Sequence, residues 1–268
     1  MAYTIAITGK GGVGKTTVAA LIVARLIARG CKPVLAVDAD PNTCLDAALG
    51  VKATKTIGGV REEARVIAGK GLATGASKQQ LLEMKIAESL VEADNFDLIA
   101  MGRPEGPGCY CYANNVLKQA IQTIAGNYPY IVIDNEAGLE NLSRRIIQKV
   151  DLMVLLADPS KRGIETIGRL HALADEMGVQ YAKLAMVVNR LRRDELPAGA
   201  EEMRQSIKAD YLAGLPDNVE LSGRNEDGMS LGGLSPDNEV VWRIDRLLAE
   251  AGVPSVTDAR ASGFIQLS

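Results

Sequence analysis

Apolar residues along this chain fall into short unbroken runs separated by stretches of helical spacing. "YTIAIT" (3–8) runs straight into glycines, and "KPVLAVDAD" (32–40) ends in acids. "FDLIAMG" (96–102), "YIVIDNE" (130–136), "DLMVLLAD" (151–158) and "KLAMVVN" (183–189) are four more such runs. Unbroken apolar runs of this length predict strands buried on both faces. Between them, "TTVAALIVARLIARG" (16–30) has helical spacing and stops at Gly30, a C-cap residue. Further helical patterns fall around 113–126, 139–149, 162–178 and 199–208. Strand alternating with helix predicts an α/β fold: a mostly parallel central sheet, right-handed crossovers and helices on both faces. The ligand site of such a sheet lies at the carboxyl ends of its strands.

Two regions depart from simple alternation. Within 53–95, "GVREEARVIAG" and "KQQLLEMKIAESLVEAD" are patterned as helices, either a cover over the sheet or a surface for another protein. "SPDNEVVWRIDRLLAEAG" (235–252) is an amphipathic helix with Val241, Ile244, Leu247 and Leu248 on one side and Trp242 packed or half-exposed beside them. No linker-like run divides the chain, so a single domain is expected over 1–252, with a tail at 253–268.

Composition adds little to the fold and more to the setting. A chain of 268 residues buries enough apolar surface to need no disulfide staple. Its net charge of −3 offers no broad basic field for nucleic acid or anionic lipid, so neither is expected as a partner. No leader-like segment and no membrane-length apolar run is seen, and the four cysteines are sparse and unevenly spaced. A reducing cytoplasm is the expected location.

The phosphate-loop string "GKGGVGKTT" (9–17) follows a strand and opens a helix, and it fits G-x-x-x-x-G-K-[ST]. Glycines let the backbone curl so that amides point inward as an anion nest at a helix N-terminus. Gly9, Gly11, Gly12, Val13, Gly14, Lys15, Thr16 and Thr17 are therefore assigned to nucleotide phosphates. Lys15 brings positive charge to the β- and γ-phosphates, and the Thr16 hydroxyl is placed to ligate Mg²⁺. The expected fold is thus a P-loop NTPase, with ATP or ADP and Mg²⁺ as cofactors. Asp134, closing an apolar strand, is the expected carboxylate on the Mg²⁺ side, with helix capping as the competing role. Asp38 stands as a helix cap, as an organiser of the loop that follows it, or as a contact for metal-bound water.

"GPGCYCY" (106–112) places two of the four cysteines one residue apart. In an extended segment residues i and i+2 project to one side, so Cys109 and Cys111 could present two thiolates to one metal. A closed site needs four ligands. His171 lies in a later helix, Cys31 is a strand's length of about 20 Å away, and Cys44 belongs to the loop after Asp38. Two copies of the chain about a two-fold axis would bring four sulfurs together. Two small, semi-buried cysteines in a tight loop remain the competing reading on spacing alone.

The string around Lys15 resembles the deviant phosphate loop of the nitrogenase iron protein and septum-site ATPase superfamily. That resemblance implies that Lys10 reaches across a homodimer interface to the partner's nucleotide, as an arginine finger would. It implies that Asp40, before Pro41, positions the attacking water, and that Gly138 lets the second switch respond to the γ-phosphate. In "VVNR" (187–190) it implies an adenine site, with Asn189 reading the base edge beside Arg190, and the "GLPDN" turn with Pro216 closing over the ring.

Taken with "DADPN" and "DNEAGLENLSRR", the stretch "MGRPEGPGCYCYANNVL" (101–117) resembles the accessory ATPases that mature nickel-containing carbon monoxide dehydrogenase; some serve acetyl-CoA synthase. The similarity runs through 3–252. It implies a homodimer that holds nickel or zinc at its interface through Cys109 and Cys111 and delivers nickel to a client enzyme. Thiolates favour soft or borderline ions and do not separate these two, or copper(I). Nickel handlers sometimes carry a histidine-rich tail and this chain has none, which favours delivery over storage.

Two alternatives share the phosphate loop. An iron–sulfur reductase draws cluster ligands from two separate loops, and "DNEAGLENLSRR" has no cysteine. A positioning or partition ATPase acts on membrane or DNA, for which "TDARASGFIQLS" makes a poor basic amphipathic helix.

Overall fold

In the computed structural model, residues 2–59, 78–103, 110–137 and 149–253 are described. Their backbone forms an eight-stranded sheet. In chain order the strands are β1 (Tyr3–Gly9), β2 (Val34–Asp38), β3 (Leu90–Glu92), β4 (Phe96–Ala100), β5 (Tyr130–Asp134), β6 (Lys149–Ala157), β7 (Gln180–Leu191) and β8 (Tyr211–Pro216). Across the sheet the order is β3-β4-β2-β5-β1-β6-β7-β8, and every neighbouring pair is parallel except β3 with β4. The six apolar runs are six of these strands.

The helices are α1 (Lys15–Ala28), α2 (Leu45–Leu49), α3 (Lys78–Ser89), α4 (Tyr110–Ile124), α5 (Lys161–Glu176), α6 (Ala200–Ser206), α7 (Val219–Glu226) and α8 (Glu239–Glu250). Strand side chains alternate between two cores. Ile5, Ile7, Val34 and Ala36 pack with Leu21, Ile22 and Leu26 of α1 and Ile244, Leu247 and Leu248 of α8. Ala6, Leu35, Val37 and Met153 pack on the other face with Ile86, Leu117, Ile164 and Ile167 from α3, α4 and α5. Both faces are covered, which is why the strands read as unbroken apolar runs.

The helix expected at 235–252 is α8, with Val241, Ile244, Leu247 and Leu248 buried and Trp242 54% exposed beside the Arg246 guanidinium. Asn238 caps it, accepting from the Val240 amide at 3.0 Å. Four elements differ from expectation. The end of "KQQLLEMKIAESLVEAD" is not helix but β3, three residues held by antiparallel pairing with β4 rather than by local pattern. β8 and α7 were not expected, and β8 carries a glycine, Gly214, within its apolar run. Cys111 lies in the first turn of α4, so the extended geometry expected for the C-x-C pair is replaced there by helix. Cys109, Gly138, most of the helical patterns at 59–69 and 139–149, and nearly all of the tail lie outside the described residues. Among the described residues no helix is long and apolar enough to cross a membrane.

Candidate nucleotide site

Parallel register sets the site. In the β2–β5 pair Asp38 lies opposite Asp134, and in the β1–β5 pair Ile7 lies opposite Asp134. β2 and β5 therefore finish level while β1 runs two residues further to Gly9, and the turn from β1 into α1 follows there, at the point where strand order reverses.

That turn is a nest. Gly12 and Gly14 have φ of 81° and 96°, a region costly for residues with a Cβ. Gly14 begins α1 with no side-chain cap and no acid in the first turn, so the helix's first amides are left for an anion. A Cβ on Gly14 would come within 2.5 Å of the Asn189 amide nitrogen. Lys15 is 8% exposed. Burial pulls its ammonium below the usual lysine range, while Asp134, Asp40 and Glu136 act the other way. Its Nζ donates to the Lys10 carbonyl at 3.3 Å.

Asp134 is 1% exposed, and its Oδ1 is buried with no hydrogen-bond partner. An orphaned carboxylate oxygen beside the Thr16 hydroxyl, itself bonded to Asp134, fits a hydrated divalent cation between them. Mg²⁺ held there by Thr16, with Asp134 beside it, would neutralise phosphate charge. Burial, then the charge of Asp38, pushes the Asp134 carboxyl up to about 7, against the Thr16 hydrogen bond and Lys15.

This shift has a stability consequence. The folded carboxyl keeps its proton between about pH 4 and about 7, where the unfolded chain has lost it. The favourable contribution is complete below that window and is lost as pH rises through it. The Asp134→Asn variant, free of the nucleotide, is therefore expected to melt several degrees above the parent at pH 8. The gap should close below pH 5, since about 1 kcal/mol moves the melting temperature by about 2–4 °C in a chain of this size. Scanning calorimetry at both pH values checks this, and a parent that melts higher than the variant at pH 8 contradicts it.

Asp38 is fully buried and acts as an organiser. Its Oδ1 accepts from the Asp40 amide at 3.0 Å, and its Oδ2 accepts from the Cys44 and Leu45 amides, each at 2.9 Å. Burial still pushes its carboxyl up to about 6. Asp40 is half-buried on the loop so held, where its Oδ1 accepts from the backbone amide and side chain of Asn42.

Asn189 and Arg190 come to the phosphate loop from the end of β7. The Asn189 side-chain nitrogen donates to the Val13 carbonyl at 2.9 Å, and Arg190 donates to the Gly12 carbonyl at 3.0 Å. Asn189 thus braces the nest through the nitrogen of its side-chain amide. Pro216 pairs with Leu191, and the Asp217 amide donates to the Leu191 carbonyl, so "GLPDN", whose first three residues end β8 rather than form a turn, lies beside the end of β7. Removing the brace leaves a buried carbonyl unsatisfied, worth about 1–3 kcal/mol. Asn189→Ala is expected to weaken ATP binding roughly tenfold, about 1.4 kcal/mol, in a fluorescent-nucleotide titration. Unchanged affinity would show that the brace is dispensable.

Lys10 is exposed, at the edge of the site. Asp158, after β6, lies within its field. Burial raises the Asp158 carboxyl, but hydrogen bonds from Ser160 and the charge of Lys10 outweigh it, holding the group low. Sequence reasoning passed over Asp158; an acid straight after an apolar strand was the available signal. Of the remaining candidate ligands, His171 is bonded to Tyr181 at 2.9 Å, Cys31 is buried beneath α1, and Cys44 is an exposed thiol on the loop after β2. Among the described residues no three His, Cys, Asp or Glu side chains gather as a metal cage.

The AAA-domain family matches residues 2–184. An uncharacterized ATP-binding protein of Methanocaldococcus jannaschii is 39% identical over 91% of this chain and 96% of its own length. The carbon monoxide dehydrogenase accessory protein CooC of Rhodospirillum rubrum is 28% identical over 87% of this chain and 90% of that protein. Among solved structures, the septum site-determining protein MinD of Pyrococcus horikoshii, complexed with Mg-ADP, superposes with a TM-score of 0.67 at 20% identity, covering both chains fully.

Proposed function

Because this chain belongs to the AAA-domain family of ATPases, within the deviant-phosphate-loop superfamily of septum-site and partition ATPases, we propose that it spends ATP to deliver nickel to a client enzyme of the carbon monoxide dehydrogenase kind. One observation carries the proposal: a C-x-C pair, Cys109 and Cys111, on an ATPase chain similar over 87% of its length to a carbon monoxide dehydrogenase accessory protein.

ATP brings two copies together, with Lys10 of each reaching the other's γ-phosphate. Asp40 orients a water for attack on the γ-phosphorus. The bond to the bridging oxygen breaks and ADP leaves with that oxygen, while Lys15 offsets the charge that builds up there. Cys109 and Cys111 from both copies hold the cargo ion between them. Loss of the γ-phosphate relaxes the loops and frees the ion.

The test is metal content and molar mass of the purified protein, with and without ATP. One nickel or zinc per dimer in the ATP-loaded protein supports the reading. A monomer that captures the ion tightly through its sulfurs whatever nucleotide is present overturns it. The second reading is a positioning or partition ATPase, favoured by 23% identity over 96% of this chain to a septum site-determining protein of Thermotoga maritima. ATP-dependent co-sedimentation with anionic liposomes or duplex DNA, in a protein that holds no metal, would establish it instead.

A further inference from the structure

The loop after β2 and the loop after β4 meet through one side chain. Asn42 uses both ends of its amide: Nδ2 donates to Asp40 Oδ1 at 3.0 Å, and Oδ1 accepts from the Arg103 guanidinium at 2.6 Å. The Asn42 backbone amide adds a second bond to the same Asp40 oxygen at 2.8 Å. Arg103 stands six positions before Cys109.

The surroundings of this chain of bonds are fixed. Asp38 ties down the amides of Asp40, Cys44 and Leu45, so the ends of the loop cannot follow a change at its middle. On the other side, the Met101 amide donates to the Asp38 carbonyl at 2.8 Å and the Gly58 amide to the Met101 carbonyl at 2.8 Å. Gly102 has φ of 63° and lies so close under Thr56 that a Cβ there would fall 2.2 Å from the threonine hydroxyl. Arg103 is the first residue past that clamp, and it is exposed. With both ends of the loop held, the Asn42 side chain to Arg103 is an exit by which a change in the Asp40 carboxylate can leave the loop.

We propose that Asn42 and Arg103 act as positioning residues that report the nucleotide state at Asp40 to the segment carrying Cys109 and Cys111. When Asp40 turns to a water at the γ-phosphate, that water competes with Asn42 as donor to Asp40 Oδ1, and the Asn42 amide re-forms its bond to Arg103 from a new position. Arg103, the described residue from which the chain continues toward the cysteines, then shifts with it. Sites coupled through discrete side-chain states in this way bias one another reciprocally. The proposal rests on the metal-delivery reading only for what the cysteine segment does; the coupling itself needs only ATP turnover.

The test is amide hydrogen exchange of the 101–117 peptide in the full chain, with a non-hydrolysable ATP analogue and with ADP. In the parent, exchange should differ between the two nucleotides. Arg103→Ala and Asn42→Ala should each shrink that difference by about fivefold or more, the lower end of ordinary coupling between sites. Arg103→Lys, which still offers a donor to Asn42, should retain much of it. The KM for ATP of Arg103→Ala should stay at the parental value, which separates relay from nucleotide binding. Equal exchange with both nucleotides in the parent, or a full difference surviving in Arg103→Ala, overturns the proposal. Zinc binding measured on the same samples keeps the two ideas apart. A segment that answers to nucleotide yet holds no zinc upholds the relay and removes the metal reading.

Discussion

Replacing Lys15 with alanine is expected to lower ATP turnover by about 10²–10³-fold, the cost of removing one preorganised charge from a transition state. The ammonium is nearly buried among Asp134, Asp40 and Glu136, so it cannot be replaced by water-borne cations without re-solvating the site. It already contacts the Lys10 carbonyl in its own loop, which fixes the long side chain over the nest before any phosphate is contacted. That pre-paid ordering lets the charge act chiefly on the transition state. Phosphate release under saturating ATP is the measurement. A variant that keeps more than about a tenth of the parental rate would mean that the nest amides alone carry the electrostatics. Lys10→Ala offers the contrast. If Lys10 acts in the partner's site, mixing it with a variant defective only in Asp40 should restore part of the turnover that each lacks alone.

The second large effect concerns the cargo. Cys109→Ser or Cys111→Ser is expected to abolish nickel and zinc capture while leaving ATP binding intact. A serine hydroxyl is a harder donor than a thiolate and stays protonated at neutral pH. In a symmetric dimer a single substitution removes two of the four sulfurs. The loss should thus exceed the roughly 10–100-fold that even an outer-shell partner is worth. Equilibrium dialysis with each ion gives the affinity, and nucleotide titration on the same protein shows that the fold survives. Full metal loading in both variants would place the site elsewhere on the chain.

The parts of this architecture that could be read from sequence are those whose cause is local. β1, β2 and β4–β7 announce themselves because both faces of the sheet are covered, so apolar residues fill both sides of each strand's central stretch. The phosphate loop is legible because its backbone needs glycine at set positions, and Gly12 and Gly14 show the positive φ that demands it. What stayed hidden depends on contacts between distant segments. β3 exists only because β4 offers it an edge, and its three residues carry no pattern of their own. The bond from the Asn189 side-chain nitrogen to the Val13 carbonyl spans 176 positions, and "VVNR" gives no sign of it. The Arg103–Asn42 contact joins two loops 61 positions apart, and neither residue type signals the other. Asp38 was legible as an acid with a role, but choosing between cap and organiser required seeing which amides its two oxygens meet.

The three amides on Asp38 also set what this loop will tolerate over time or in redesign. Its spelling between 39 and 44 is open wherever the side chain faces outward, but its length is not, because one carboxylate anchors the strand end and the start of α2 together. A one-residue insertion would strip at least one amide from a buried anion, so families built on this plan should diversify here by substitution and leave the count of residues alone.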